Sequence, residues 1–149
     1  MGYPQHIMTV SGLFYNERYQ ILLVKVPRRG WELPGGQVEQ GEDLIEALLR
    51  EVIEESSCVV DVETLAGIYT NPASPEKVMF VFVGKYIDGE AKANDESIDA
   101  GWFTVKEALK MVTFPSNAVK LKDALHNKQR PIYRVYTTRP YEVYKEMQL

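Results

Sequence analysis

Apolar positions along this chain follow two rhythms. Ile7 to Tyr15 and Gln20 to Val26 carry the alternating and continuous apolar runs of strands, and Asn16-Glu17-Arg18 between them predicts a hairpin turn. The Ile21-Leu22-Leu23-Val24 run suits a strand covered on both faces. Pro27-Arg28-Arg29-Gly30 reads as a loop and Trp31-Glu32-Leu33 as a short strand. Pro34-Gly35-Gly36 reads as a bend where backbone can approach a ligand closely. The rhythm then changes to a helical one from Glu42 to Ser56, with Leu44, Ala47 and Leu48 on one stripe.

Two more strands are predicted at Val59 to Thr70 and Lys77 to Tyr86, with Val78 to Val83 in a central position. Asn71-Pro72-Ala73-Ser74-Pro75 separates them, because its two prolines cannot donate to a ladder. Asp88-Gly89 marks a turn, and Asn94-Asp95-Glu96-Ser97 a loop before Trp102-Phe103. Thr104-Val105-Lys106-Glu107 has the form of a capping box and opens a second helix to Met111; Ser116 opens a third to His126. Ile132 to Tyr136 reads as an edge strand, and the Tyr-rich, charged remainder of the tail predicts no definite element. The expected fold is α/β, one domain over residues 1–149, with a mixed sheet between helices.

Composition narrows the picture only slightly. With 149 residues, 45% hydrophobic and 26% charged, the chain can bury a proper core. A net charge of −4 argues against binding long nucleic acid by phosphate neutralisation. No apolar run approaches a membrane span, and Met1 to His6 lacks the regions of a signal peptide, so a cytoplasmic location is the expectation. The single cysteine, Cys58, follows an apolar helix and is expected as a small buried hydrophobe. His6 and His126 have no partner at metal spacing. The edge strands and the tail raise the expectation of a homodimer.

The chemistry concentrates in Arg50-Glu51-Val52-Ile53-Glu54-Glu55. At about 100° per residue, Glu51, Glu54 and Glu55 share roughly a 100° arc that overlaps the apolar stripe one to three turns earlier. Like charges at this spacing repel, more so where the face is partly buried. A divalent cation removes the conflict, whereas a solvated helix end leaves it in water. Arg50, four residues after Glu46 and four before Glu54, is within ion-pair reach of both.

From Gly36 the sequence runs through Glu42 to Arg50-Glu51-Val52-Ile53-Glu54-Glu55, and this spacing resembles the Nudix box of the Nudix hydrolases at every charged position. The resemblance covers the box strictly and the flanking strands by pattern. It implies a Nudix fold of MutT-like type and a pyrophosphohydrolase that cleaves a phosphoanhydride bond in a nucleoside diphosphate linked to another moiety. It also implies Mg²⁺ or Mn²⁺ on Glu51, Glu54 and Glu55 with the Gly35 carbonyl, Glu51 doubling as a candidate base. Arg50 is expected to orient a carboxylate, with Glu42 as a candidate partner or a helix-dipole charge. Glu96, before Trp102-Phe103, resembles the loop glutamate that several members lend to the metal or the water, and is the candidate base. Arg28, Arg29, Trp31 and Gly36 are the candidate substrate contacts; the same arginines could face water and the tryptophan the core.

One position departs from the box. Ser57 stands where the family usually has glycine, which leaves either a left-handed serine or a different helix end. That departure keeps a second function in play, a catalytically weak domain that binds a nucleotide as a sensor.

Overall fold

Asn16 opens the expected turn by accepting from the backbone N–H groups of Arg18 and Gln20 at 3.0 and 2.9 Å. It joins β1 (Ile7–Tyr15) to β2 (Ile21–Val26), and the two strands then part, meeting in register only at Tyr15 and Ile21. The computed structural model describes residues 2–94, 96–127 and 129–149, so Asp95 of the expected loop lies outside the described residues.

Each half of the opened hairpin takes other partners. β1 runs parallel to β6 (Lys77–Asp88) from Ile7 opposite Lys77 to Tyr15 opposite Lys85. β2 is antiparallel to β3 (Gly30–Glu32) and to β7 (Asp99–Phe103). The Gly35-Gly36 bend is itself a short strand, β4 (Gly35–Gln37), antiparallel to β1. β6 also pairs with β5 (Val59–Asn71), which places Val78 to Val83 centrally as expected. With β8 (Ile132–Thr137) and β9 (Glu142–Gln148), the sheet order is β3-β2-β1-β6-β5-β8-β9, with β4 on β1 and β7 on β2.

Alternation along the central strands supplies two cores. Phe14 and Leu22 pack with Ala47, Leu48 and Val52 of α1 (Leu44–Ser56) on one face. Leu13, Ile21, Leu23 and Tyr69 pack on the other face with Ala108 of α2 (Val105–Met111) and Leu121 and Ala124 of α3 (Pro115–His126). The α/β expectation therefore holds, with helices on both faces of a mixed sheet. Cys58 is free and buried in the α1 core, and the Thr104–Glu107 capping box forms as read.

Other element ends shift by one or two residues from the sequence reading, as with α3, which starts at Pro115 and not Ser116, and two differences have larger consequences. α1 starts after Asp43, whose side chain accepts from the Glu46 N–H at 2.8 Å, leaving Glu42 outside the helix. Ile132 to Tyr136 is not an edge: β8 (Ile132–Thr137) is covered by β9 (Glu142–Gln148), built from the tail that predicted no element. What ties that tail down is a long-range contact, since Arg134 on β8 holds the buried Asp123 of α3 through two bonds of 2.8 Å.

Candidate active site

The acidic face of α1 leans on β4, and glycine permits the approach. A Cβ on Gly36 would lie 2.4 Å from Cδ of Glu51, and one on Gly35 would lie 2.1 Å from the Val10 carbonyl oxygen. Gly35 donates its N–H to Oε1 of Glu55 at 2.7 Å. Glu51 and Glu55 are both buried, while Glu54 is half-buried.

Arg50 ties the cluster together. Its Nε and Nη2 donate to the two carboxylate oxygens of Glu42 at 2.7 and 2.8 Å, its Nη1 to Glu51 at 3.0 Å and Glu54 at 3.1 Å, and its Nη2 to the Gln37 carbonyl at 3.1 Å. The expected pair with Glu54 forms, and Glu42 takes the place expected of Glu46. The Arg50 guanidinium holds the Glu42 carboxyl down to about 2.

Glu96 reaches the site from the β6–β7 loop, which is fastened to the end of α1. Ser97 Oγ donates to the Glu55 carbonyl at 2.5 Å, and Asn94 Nδ2 to the Ile53 carbonyl at 3.3 Å. As a result, carboxylate oxygens of Glu51, Glu54 and Glu96 all lie within 4.8 Å of one another. Burial, reinforced by Glu96 and Glu54, pushes Glu51 up to about 7 against the pull of Arg50. Burial likewise pushes Glu55 up to about 8, opposed by the Gly35 N–H and reinforced by Glu51, Glu32 and Glu96. Hard carboxylate oxygens under mutual repulsion fit a small divalent cation.

Ser57, the departure from the box, adopts the left-handed conformation at φ 65°, and its N–H closes on the Ile53 carbonyl at 2.9 Å. The serine therefore makes the turn a glycine would make, and the carboxylates keep their places.

The Gly35-Gly36 backbone also forms part of the wall of a cleft of about 870 Å³, which Arg28 and Arg29 share. Trp31 is not in this wall; it packs edge-on against Phe103, with ring centroids 5.1 Å apart, beside the core. Lys120 of α3, together with Arg139 and Tyr141 of the β8–β9 connection, lines the cleft as well. No local pattern singled these three out, because they reach the cleft only through the packing of α3 and the terminal hairpin.

A family model described as NUDIX domain matches residues 5–126. The chain belongs to the Nudix family. This Nudix domain is 33% identical over 123 residues to a MutT-like protein of Streptomyces ambofaciens, covering 82% of this chain and 79% of that one. It is 34% identical over 116 residues to an ADP-ribose pyrophosphatase of Methanocaldococcus jannaschii, covering 73% and 68%. It is also 34% identical over 102 residues to the 8-oxo-dGDP phosphatase NUDT18 of Mus musculus, covering 63% of this chain and 31% of that protein. The chain thus spans about a third of the length of the 8-oxo-dGDP phosphatases it matches. Among solved structures, a MutT protein from Bacillus halodurans superposes with a TM-score of 0.76 at 26% identity, covering 95% of this chain and 97% of that one.

Proposed function

We propose that this Nudix domain hydrolyses a phosphoanhydride bond in a nucleoside diphosphate linked to a further moiety. The observation that carries the reading is the convergence of Glu51, Glu54 and Glu96 from a helix and a distant loop onto one point. The activities of the relatives support this substrate class: 8-oxo-dGDP and ADP-ribose both contain a nucleoside diphosphate.

Glu51, Glu54 and Glu96 are the residues that would hold Mg²⁺ or Mn²⁺, with the Gly35 carbonyl as a further neighbour. When bound, such an ion neutralises the diphosphate, polarises phosphorus and makes a water more acidic. Arg50 fixes the rotamers of Glu51 and Glu54, so that their oxygens converge before substrate arrives. A carboxylate on a cation loses basicity, which leaves Glu55, outside the converging trio, as the group to accept the water's proton. Its Oε1 is held by the Gly35 N–H, so Oε2 is the accepting atom. The base candidates read from the sequence, Glu51 and Glu96, both belong to the trio, so in this reading Glu55, expected there as a ligand, is the base.

The test is a Mg²⁺-dependent hydrolysis screen over 8-oxo-dGDP, nucleoside triphosphates, dinucleoside polyphosphates, ADP-ribose and nucleotide sugars, with the Glu54→Gln, Glu55→Gln double variant as blank. Turnover by the unmodified chain alone supports the reading. Silence across the panel with nucleotide binding intact would replace it with a binding domain.

A further inference from the structure

Half of the sheet is apolar on both faces but covered on only one. Val78 to Val83 of β6 is an unbroken apolar run, the pattern of a strand packed on either side. Met79, Val81 and Val83 meet that expectation, being buried in the core that α2 and α3 close. Val78, Phe80 and Phe82 point to the other face and are only half-buried. Register carries that face outward, because residues directly opposite each other share a face. Phe82 lies opposite Leu65 and Phe80 opposite Ile68 on β5, while Ile68 lies opposite Tyr133 of β8; these partners are half-buried too. A sheet face left to water is ordinarily polar.

The helix on this side stops short of the bare half and turns an apolar edge toward it. α1 stands over β1, where a Cβ on Gly12 would lie 3.3 Å from Cδ2 of Leu48. β1 has β4 on one edge and β6 on the other. Arg50 faces β4, donating to the Gln37 carbonyl. Ile45, Leu49 and Ile53, at i, i+4 and i+8, form a stripe separated from Arg50 by the buried positions Leu48 and Val52, so the stripe lies on the β6 side. Ile45 and Ile53 are 38% and 45% exposed. The bare strands β6, β5 and β8 span about 10 Å, the diameter of one helix with its side chains.

Surface area and charge point to the same occupant. A compact monomer of 17.0 kDa exposes about 7,700 Å². This chain exposes 8696 Å², and the surplus of about 1,000 Å² is close to the share one partner gives to a stable interface. Glu46 lies beside the stripe on α1, and Lys145 lies opposite Val135 at the outer border of the bare face. Both are exposed, and neither forms an ion pair among the described residues.

We propose that a second copy of this chain covers the bare half-sheet. A two-fold axis beside α1 seats the Ile45, Leu49 and Ile53 stripe of each protomer on the half-sheet of the other, so that one surface supplies both the ridge and the floor, as an isologous dimer requires. The same operation brings Glu46 of each protomer toward Lys145 of the other. The interface is a sheet face and not the β9 edge. The acidic face of α1 looks toward β4 and stays open, so the dimer leaves the carboxylate cluster accessible.

Sedimentation equilibrium of the full chain, from low to high micromolar concentration, tests this without any substrate. The expected species has twice the 17.0 kDa of the chain. Ile45→Lys on the ridge and Ile68→Lys on the floor each raise the dissociation constant about tenfold or more, because each places an unpaired charge in an apolar interface. Ile45 is exposed in the single chain, so Ile45→Lys retains the circular dichroism of the folded protein. Glu46→Lys alone weakens the dimer, and adding Lys145→Glu restores it, which a folding defect would not do. A chain that stays monomeric at high micromolar concentration overturns the proposal and leaves the face to a different partner. A dimer that both isoleucine variants leave intact overturns it as well, as does a loss from Glu46→Lys that Lys145→Glu fails to restore.

Discussion

Arg50 grips Glu42 with two parallel hydrogen bonds, from Nε and Nη2 to the two carboxylate oxygens, and turns its third nitrogen to Glu51 and Glu54. The residue that touches the clustered carboxylates is therefore itself aligned from outside the helix. Arg50→Gln is expected to lower kcat about 10- to 100-fold and to weaken Mg²⁺ binding, with little change in melting temperature. Arg50→Lys does not rescue it, because an ammonium cannot make the fork. Steady-state kinetics with Mg²⁺ titration decides; rescue by lysine would mean that Arg50 contributes only charge.

Glu55 carries the pH prediction. Its native pKa of about 8 lies above the ordinary 4.5, so between those values the folded state binds more protons than the unfolded one. Its contribution is full below pH 4.5 and is lost as pH rises through 8. Glu55→Gln keeps an acceptor for the Gly35 N–H and removes that loss. In EDTA, the variant melts close to the unmodified chain at pH 5 and above it at pH 8.5, by about 4 kcal/mol of stability. Equal melting at both pH values would show that burial does not strain this carboxylate.

Ser57 offers a test of the helix end. With φ at 65° it adopts a conformation that costs a side-chain-bearing residue about 1 kcal/mol. Ser57→Gly is expected to stabilise the protein by about that amount in urea titration and to leave activity unchanged. Destabilisation would mean that the serine compensates in a way its backbone geometry does not reveal.

Asp123 is the anchor of the terminal hairpin. It is buried, accepts from the Tyr69 hydroxyl at 2.7 Å, and takes both nitrogens of Arg134, which also pairs with Glu146. Asp123→Ala leaves Arg134 and Tyr69 without their main acceptor and is expected to cost about 3 to 5 kcal/mol. Hydrogen exchange should show β8 and β9 opening first. Uniform loss of protection across the sheet would argue that the hairpin is not a separable unit.

The legible parts of this protein share a short reach. The strands of β1, β2, β5 and β6, the box helix and the Thr104 cap depend on neighbours within a few residues, so periodicity, turn chemistry and spacing suffice. The box acids were legible for the same reason, because one helix carries them. Strand partners were not: β1 and β2 read as a hairpin yet separate after a single register pair, since β6 and β7 offer longer ladders. β4 read as a bend because two glycines favour one, and only the ladder to β1 makes it a strand.

The chain's own order of residues therefore determined the family, the α/β class and the acidic helix face, all of which rest on local periodicity and spacing. Tertiary structure decided that Glu96 joins Glu51 and Glu54, that Glu42 and not Glu46 holds Arg50, and that a tail without a readable pattern lines the cleft with Arg139 and Tyr141. Those choices depend on contacts between residues as far as 85 apart, such as Glu32 with Asn117, and loop closure over that distance leaves no mark on the local pattern.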